Sequence, residues 1–228
     1  KAPKGFSIVG KPSPSIDDYE RVTGQAQYTG DIQLPGMLYA RVLRSTLPHA
    51  KIVSIDTSKA ERLSGVKAVV HHGNAQIPWS SGGHTHKRFI FNNPVRYVGD
   101  AVAAVAATDR QIAEEALALI EVKYETLPHV LDPNEALKPD APKITPEGNL
   151  SVGKGAFSAP IEESWGDLEK GFKEADRVFE ETYITKHVNN AQLERRVSVA
   201  KWDAGKLTVF ASTQGVSNAR TDIAKDFN

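Results

Sequence analysis

Three features of the sequence predict an α+β fold. A strand–helix–strand pattern surrounds the apolar run 101–107, a second such pattern lies upstream, and a proline- and glycine-rich stretch separates both from a β-rich final segment. In the first pattern a turn at Gly99-Asp100 precedes Ala101-Val102-Ala103-Ala104-Val105-Ala106-Ala107, which is too short to span a bilayer and suits a buried strand. Thr108 stands three residues before Gln111, the spacing of a capping box, and Ile112, Ala116, Leu119 and Ile120 recur at helical spacing. Residues 121–126 then alternate with period two, as a second strand should.

Taken in order, residues 1–36 carry Pro3, Pro12, Pro14 and Pro35 among polar residues, which predicts an extended arm. Its first part, 1–15, lies outside a compact domain expected over 16–131. Strands are expected at 38–43, 51–56 and 66–70. Ser58 and Glu61 form a capping-box pair that opens a short helix, which Gly65 ends. Residues 73–93 have no period and read as a functional loop or an interface. Within it His84-x-His86 has metal-ligand spacing, but no carboxylate or cysteine completes a first shell nearby, so a solvated loop is the favoured reading. His71-His72 are adjacent in a strand and point to opposite faces, which argues against chelation by that pair.

From 132 to 160 five prolines and three glycines interrupt every period, the mark of a linker. Beyond it, a helix is expected at 167–175, a strand at 177–186 and a hairpin of strands 197–202 and 206–211 around Asp203-Ala204-Gly205. Ser212-Thr213-Gln214-Gly215 leads into an amphipathic helix at 216–227. Roughly 70 residues bury little surface alone. Residues 161–228 are therefore expected to be part of a domain completed by another chain, with the end at Asn228 lying against that partner. The start at Lys1 rather than Met leads to the expectation of missing or processed residues upstream.

The bulk composition narrows the function classes. Basic and acidic residues, 28 of each, cancel, so no global field draws in nucleic acid or an anionic membrane. Cysteine is absent, which removes disulfides and thiolate or iron–sulfur ligation and fits a reducing, cytoplasmic compartment. Any redox centre must use other ligands or belong to another chain.

Several segments together resemble the molybdenum-cofactor subunits of the xanthine dehydrogenase and aldehyde oxidase family of molybdenum hydroxylases. They are Val22-Thr23-Gly24-Gln25-Ala26 with Tyr28-Thr29-Gly30-Asp31 and Leu34-Pro35-Gly36-Met37-Leu38, His49-Ala50-Lys51-Ile52-Val53-Ser54-Ile55-Asp56-Thr57, Arg96-Tyr97-Val98-Gly99-Asp100 with Val102-Ala103-Ala104-Val105-Ala106, and Ser212-Thr213-Gln214. The resemblance implies an α/β-hammerhead domain at 16–131, followed by the partial, β-rich start of a molybdopterin-binding domain at 161–228. It implies molybdopterin shared with a partner chain, and 2Fe-2S and FAD on partner subunits.

In that family the glutamine of the Ser-Thr-Gln segment hydrogen-bonds the molybdenum centre's oxo ligand, and Gln214 is the matching position. A neutral amide can donate there without adding charge, and a segment entering a helix offers the positive dipole end to an anionic cofactor. Read without the resemblance, Gln214 is a polar turn residue ahead of a helix. Leu193-Glu194 matches a family strand position, but Arg195-Arg196 replace the usual followers, so a structural ion pair is the expected role of Glu194. The family's catalytic glutamate has no counterpart here, and no catalytic residue or metal ligand is assigned to this chain. The function expected is a share in a multi-subunit oxidoreductase that hydroxylates an N-heterocycle, aldehyde or aromatic substrate with oxygen from water. The alternatives are a noncatalytic scaffold within such a complex and an independent small-molecule binding protein, the latter needing a closed second domain.

Overall fold

The computed structural model describes residues 5–77, 89–146, 148–150 and 164–227. Its elements fall into two units. One is formed by 1–35 with 186–214, and the other by 36–185 with 215–228.

The larger unit holds the packed core. Its strands are β1 (Tyr39–Arg44), β2 (Ala50–Asp56), β3 (Val66–His71), β4 (Ala101–Ala107) and β5 (Glu121–Thr126). Helix α2 (Ser58–Arg62) joins β2 to β3, and α3 (Arg110–Ala118) joins β4 to β5. The two strand–helix–strand patterns cross-pair. β3 and β4 lie antiparallel in a three-stranded sheet of order β1-β4-β3, while β2 and β5 pair antiparallel in a second sheet. Each pattern thus divides its strands between two sheets, and both helices pack against strands of the three-stranded one.

This arrangement explains the apolar run. β4 is the central strand of its sheet, and both of its faces are covered. Ala103 and Val105 pack with Ala60 of α2, Val69 of β3, and Ala116 and Ile120 at α3. Val102 turns the other way, to Ala50, Ile52 and Val95. A strand buried on both faces cannot alternate with polar residues. The alanines set the spacing of the layers. Gly65, which links α2 to β3, has φ +93°, and a Cβ there would lie 2.7 Å from Ile112 Cδ1 and 2.9 Å from Thr108 Oγ1. That position therefore excludes side chains on two counts, backbone conformation and helix contact.

Both helix starts differ by one residue from the sequence expectation. Asp109, not Thr108, caps α3, its Oδ1 accepting from Gln111 N at 2.7 Å. Thr108 is held instead by the sheet, its N–H donating to Gly65 O. At α2 the Thr57 hydroxyl donates to Glu61 Oε1 at 2.6 Å, and Ser58 N–H donates to Asp56 Oδ1. At α3 a carboxylate one residue after Thr108 takes the capping role, and at α2 Thr57, one residue before Ser58, bonds the Glu61 side chain.

Loop residues complete the larger unit. Asn93 acts as a substitute strand partner, its Oδ1 accepting from Ile52 N and its Nδ2 donating to Ile52 O, where the β2 register shifts. Buried Asp100 accepts from Arg96 N, and Arg44 donates to Gly99 O, which fixes the Arg96–Asp100 turn. The stretch expected to be a linker contains a one-turn helix, α4 (Pro133–Ala136), capped by Asp132. Asn149 pins it by donating to Ala136 O and Pro142 O. Helix α5 (Leu168–Glu174) follows, and α6 (Val216–Phe227) also belongs to this unit.

Residues 177–186 do not form the expected strand. Their alternation is intact, but residues on both sides of it are exposed: Phe179 by 81%, Tyr183 by 88% and Ile184 by 89%. A strand is stable only where its N–H and C=O groups find a neighbouring ladder, and none of the described residues provides one here.

The smaller unit opens with helix α1 (Asp18–Val22) and a 3-10 turn at Thr29–Asp31, so the N-terminal 36 residues are not wholly an extended arm. Asp31 accepts from Tyr28 N and closes that turn. β6 (Ser198–Asp203) packs against it and pairs antiparallel with β7 (Lys206–Ala211). No helix among the described residues is long and apolar enough to cross a membrane.

Candidate functional site

The hairpin in the smaller unit determines where Gln214 emerges. Its register runs from Asp203↔Lys206 to Ser198↔Ala211, leaving a two-residue turn of Ala204 (φ 47°) and Gly205 (φ 79°). Positive φ at both central residues matches the right-handed twist of the strands. The pairing continues one step past the ladder, where Ser212 N donates to Val197 O at 3.2 Å.

The Ser212 side chain extends this link. Its Oγ lies 3.1 Å from Glu194 Oε1 and 3.2 Å from Arg195 O, so one hydroxyl proton is shared between a carboxylate and a carbonyl. Glu194 is thus the acceptor of a hydroxyl and takes part in none of the described ion pairs, which corrects the sequence expectation. Sequence reasoning missed the Ser212–Glu194 link, although the hairpin register contained the signal. Continuing that register outward pairs 212 with 197 and brings 194–196 alongside.

Gln214 follows two residues later and is exposed, and α6 begins two residues after it. The loop therefore presents a neutral amide to solvent from an anchored base. An amide of this kind can donate one hydrogen bond to an anionic group and accept another from a donor, with no change of charge.

Other sequence candidates fall elsewhere. His84 and His86 lie outside the described residues. No cluster of three or more His, Cys, Asp or Glu side chains with metal-binding geometry occurs among the described residues. His71 and His72 sit edge to face, 5.6 Å apart, at the end of β3. His71 Nδ1 accepts from Gly73 N, which makes the ring a turn former. Burial lowers the pKa of both imidazoles, and the charge of His71 lowers that of His72 further. Both are held towards the neutral form. A shallow groove of about 410 Å³ runs along α5, lined by Trp165, Leu168, Phe172 and Phe179 among others. Apart from Asp167 and Arg177 its lining offers little polar chemistry.

Comparisons with known proteins bear on both regions. Residues 23–128 match the aldehyde oxidase and xanthine dehydrogenase a/b hammerhead domain, and residues 154–228 match the molybdopterin cofactor-binding domain. The chain is 41% identical over 229 residues to a probable xanthine dehydrogenase component of Bacillus subtilis, covering 97% of this chain and 29% of that protein. It is 36% identical to the nicotinate dehydrogenase large molybdopterin subunit of Eubacterium barkeri, covering 97% of this chain and 51% of that one. The chain therefore spans from under a third to about half the length of these relatives. Among solved structures, the Cu,Mo-CO dehydrogenase superposes with a TM-score of 0.80 at 31% identity, over 95% of this chain and 29% of that chain. Quinoline 2-oxidoreductase from Pseudomonas putida 86 superposes with a TM-score of 0.78 at 30% identity, over 92% of this chain and 27% of that chain.

Proposed function

Because the chain belongs to the xanthine dehydrogenase and aldehyde oxidase family of molybdenum hydroxylases, as the N-terminal part of a large subunit, we propose that it takes part in the oxidative hydroxylation of a small carbon substrate. The net reaction inserts an oxygen from water into a C–H bond of an N-heterocycle, aldehyde or aromatic compound and releases two electrons and two protons. Relatives named for xanthine, nicotinate and quinoline support the N-heterocycle part of this range.

The single observation carrying a role for this chain's own residues is the placement of Gln214. It leaves an anchored hairpin as an exposed neutral amide, with its own side chain available to an external partner. That donor set fits one edge of an anionic molybdopterin group, and the rest of the contacts would come from the part of the large subunit beyond these residues. When bound, the cofactor supplies the two-electron redox chemistry. Gln214 Nε2 would donate a hydrogen bond to it, and the neutral amide would hold that position without electrostatic repulsion. In this reading the domain plan is an arm at 1–15, the hammerhead at 16–131, a connection at 132–160, and the beginning of the cofactor-binding domain from 161. Electrons would pass to 2Fe-2S and FAD subunits, since this chain has no cysteine to ligate a cluster. The same lack of cysteine supports a cytoplasmic location.

The test is turnover per molybdenum in the assembled complex. Gln214→Ala should lower it by on the order of 10²-fold, the typical cost of losing a preorganised donor in an enclosed site. Gln214→Glu should be worse, because a carboxylate beside an anionic group is repelled unless protonated. Normal turnover in both variants would remove Gln214 from the active site and leave this region a scaffold.

A further inference from the structure

The geometry points to Glu194 as a positioning residue whose hydrogen bond with Ser212 holds the Ser212-Thr213-Gln214 segment in place. The inference rests on the reading of Gln214 given above and extends it to a residue that the family resemblance left without a role.

Three contacts carry it. The ladder between β6 and β7 ends at Ser198↔Ala211, and one backbone bond at Ser212 continues the pairing past it. Ser212 N then donates to Val197 O, and Ser212 Oγ reaches both Glu194 Oε1 and Arg195 O. All three acceptors lie on the segment entering β6. The segment leaving β7 is thus tied side by side to the segment entering β6, two residues before Gln214. Of the two acceptors sharing the hydroxyl proton, the carboxylate is the stronger, because a charged acceptor forms the stronger bond. A hydroxyl can turn freely about its Cβ–Oγ bond, and without Glu194 it would keep only the longer contact to a carbonyl.

The arrangement separates the charge of Glu194 from its acceptor oxygen. Glu194→Gln keeps an oxygen that can accept from Ser212 and removes the charge, whereas Glu194→Ala removes both. Ser212→Ala removes the donor and leaves the carboxylate. A residue important merely for folding or net charge would not sort these three variants by acceptor capacity.

The experiment is amide hydrogen exchange over residues 212–214 in the assembled enzyme, with turnover per molybdenum measured on the same preparations. Glu194→Ala and Ser212→Ala should each speed exchange of that segment by about threefold to tenfold, the range expected for one net hydrogen bond. The double variant should be no faster than Ser212→Ala, which already removes the bond to Glu194. Glu194→Gln should exchange more slowly than Glu194→Ala, because its neutral amide oxygen still accepts from Ser212, and no more slowly than the unaltered enzyme. Turnover should fall in Glu194→Ala and Ser212→Ala and fall less in Glu194→Gln. Unchanged exchange in Glu194→Ala, additive effects in the double variant, or a Glu194→Gln segment as open as Glu194→Ala would each overturn the proposal. If Glu194→Ala does not assemble, Ser212→Ala against Glu194→Gln decides the same question. Faster exchange in the two alanine variants, combined with normal turnover in Gln214→Ala, would support the tether while removing Gln214 from the cofactor, so the two readings fail separately.

Discussion

Residues 39–126 and residues 164–227 are built from the same kinds of element but differ in what they bury. In the first, β4 is covered on both faces, and Val95, Val102 and Val105 are fully buried. In the second, no described residue is buried, and Trp165, Phe179, Tyr183 and Ile184 are each more than four-fifths exposed. Aromatic and β-branched residues at alternating positions are the composition of a packed strand, not of a solvent-facing loop. The difference teaches that one region satisfies its own sequence pattern and the other carries a pattern that the described residues do not satisfy.

Substitution should separate the two regions most sharply. Val105→Asp places an unpaired carboxylate where no water reaches. It should cost several kcal/mol, on the order of 3 or more, and unfold the five-stranded region. Tyr183→Asp, at an 88% exposed position, should change stability by no more than about 0.5 kcal/mol. Denaturant unfolding of the two variants measures both. A large loss in Tyr183→Asp would mean that 177–186 is already packed.

A smaller effect is expected at the α2–β3 turn. Gly65→Ala must keep a left-handed φ and displace Ile112 or Thr108, which together should cost about 1–3 kcal/mol. A shift in the denaturant midpoint with unchanged slope would report it. A neutral result would show that α3 is not seated as closely as the 2.7 Å approach indicates.

The smallest effect is on pH dependence. Burial holds His71 and His72 below the ordinary histidine pKa in the folded protein, with Glu61 opposing the shift at His71. Between the folded and unfolded pKa values the unfolded chain therefore binds more protons. Stability from these groups is present above the unfolded value of about 6.5 and is lost as pH falls through the lowered folded values. Replacing both with Asn should flatten stability against pH in that window. An unaltered pH profile would place the dependence on other groups.

Much of the five-stranded region was legible in the sequence because its signals are local. The run at 101–107, the helical spacing at 112–120 and the alternation at 121–126 each name an element that the structure contains. The pairing was less legible. Nothing in the order β2-α2-β3-β4-α3-β5 states that β2 joins β5 while β3 joins β4, since that choice is made by long-range packing of Ala60, Ala103 and Ala116. The caps were displaced by one residue because at α3 the Asp109 carboxylate takes the Gln111 N–H, and at α2 the Asp56 carboxylate takes the Ser58 N–H while Thr57, not Ser58, bonds the Glu61 side chain. At the candidate site Gln214 was found by its motif, whereas the role of Glu194 depended on a hairpin register that a linear reading did not extend.

The most direct test of the contrast between the regions is site-resolved amide exchange on this chain alone and within the assembled enzyme. Alone, 101–107 and 110–118 should be strongly protected and 177–186 should exchange at nearly unprotected rates. In the assembled enzyme, 177–186 should gain protection with an alternating pattern, as expected for a strand that has found its ladder, while 101–107 should be unchanged. Protection of 177–186 in the chain alone, or its continued exposure in the assembled enzyme, would contradict the account.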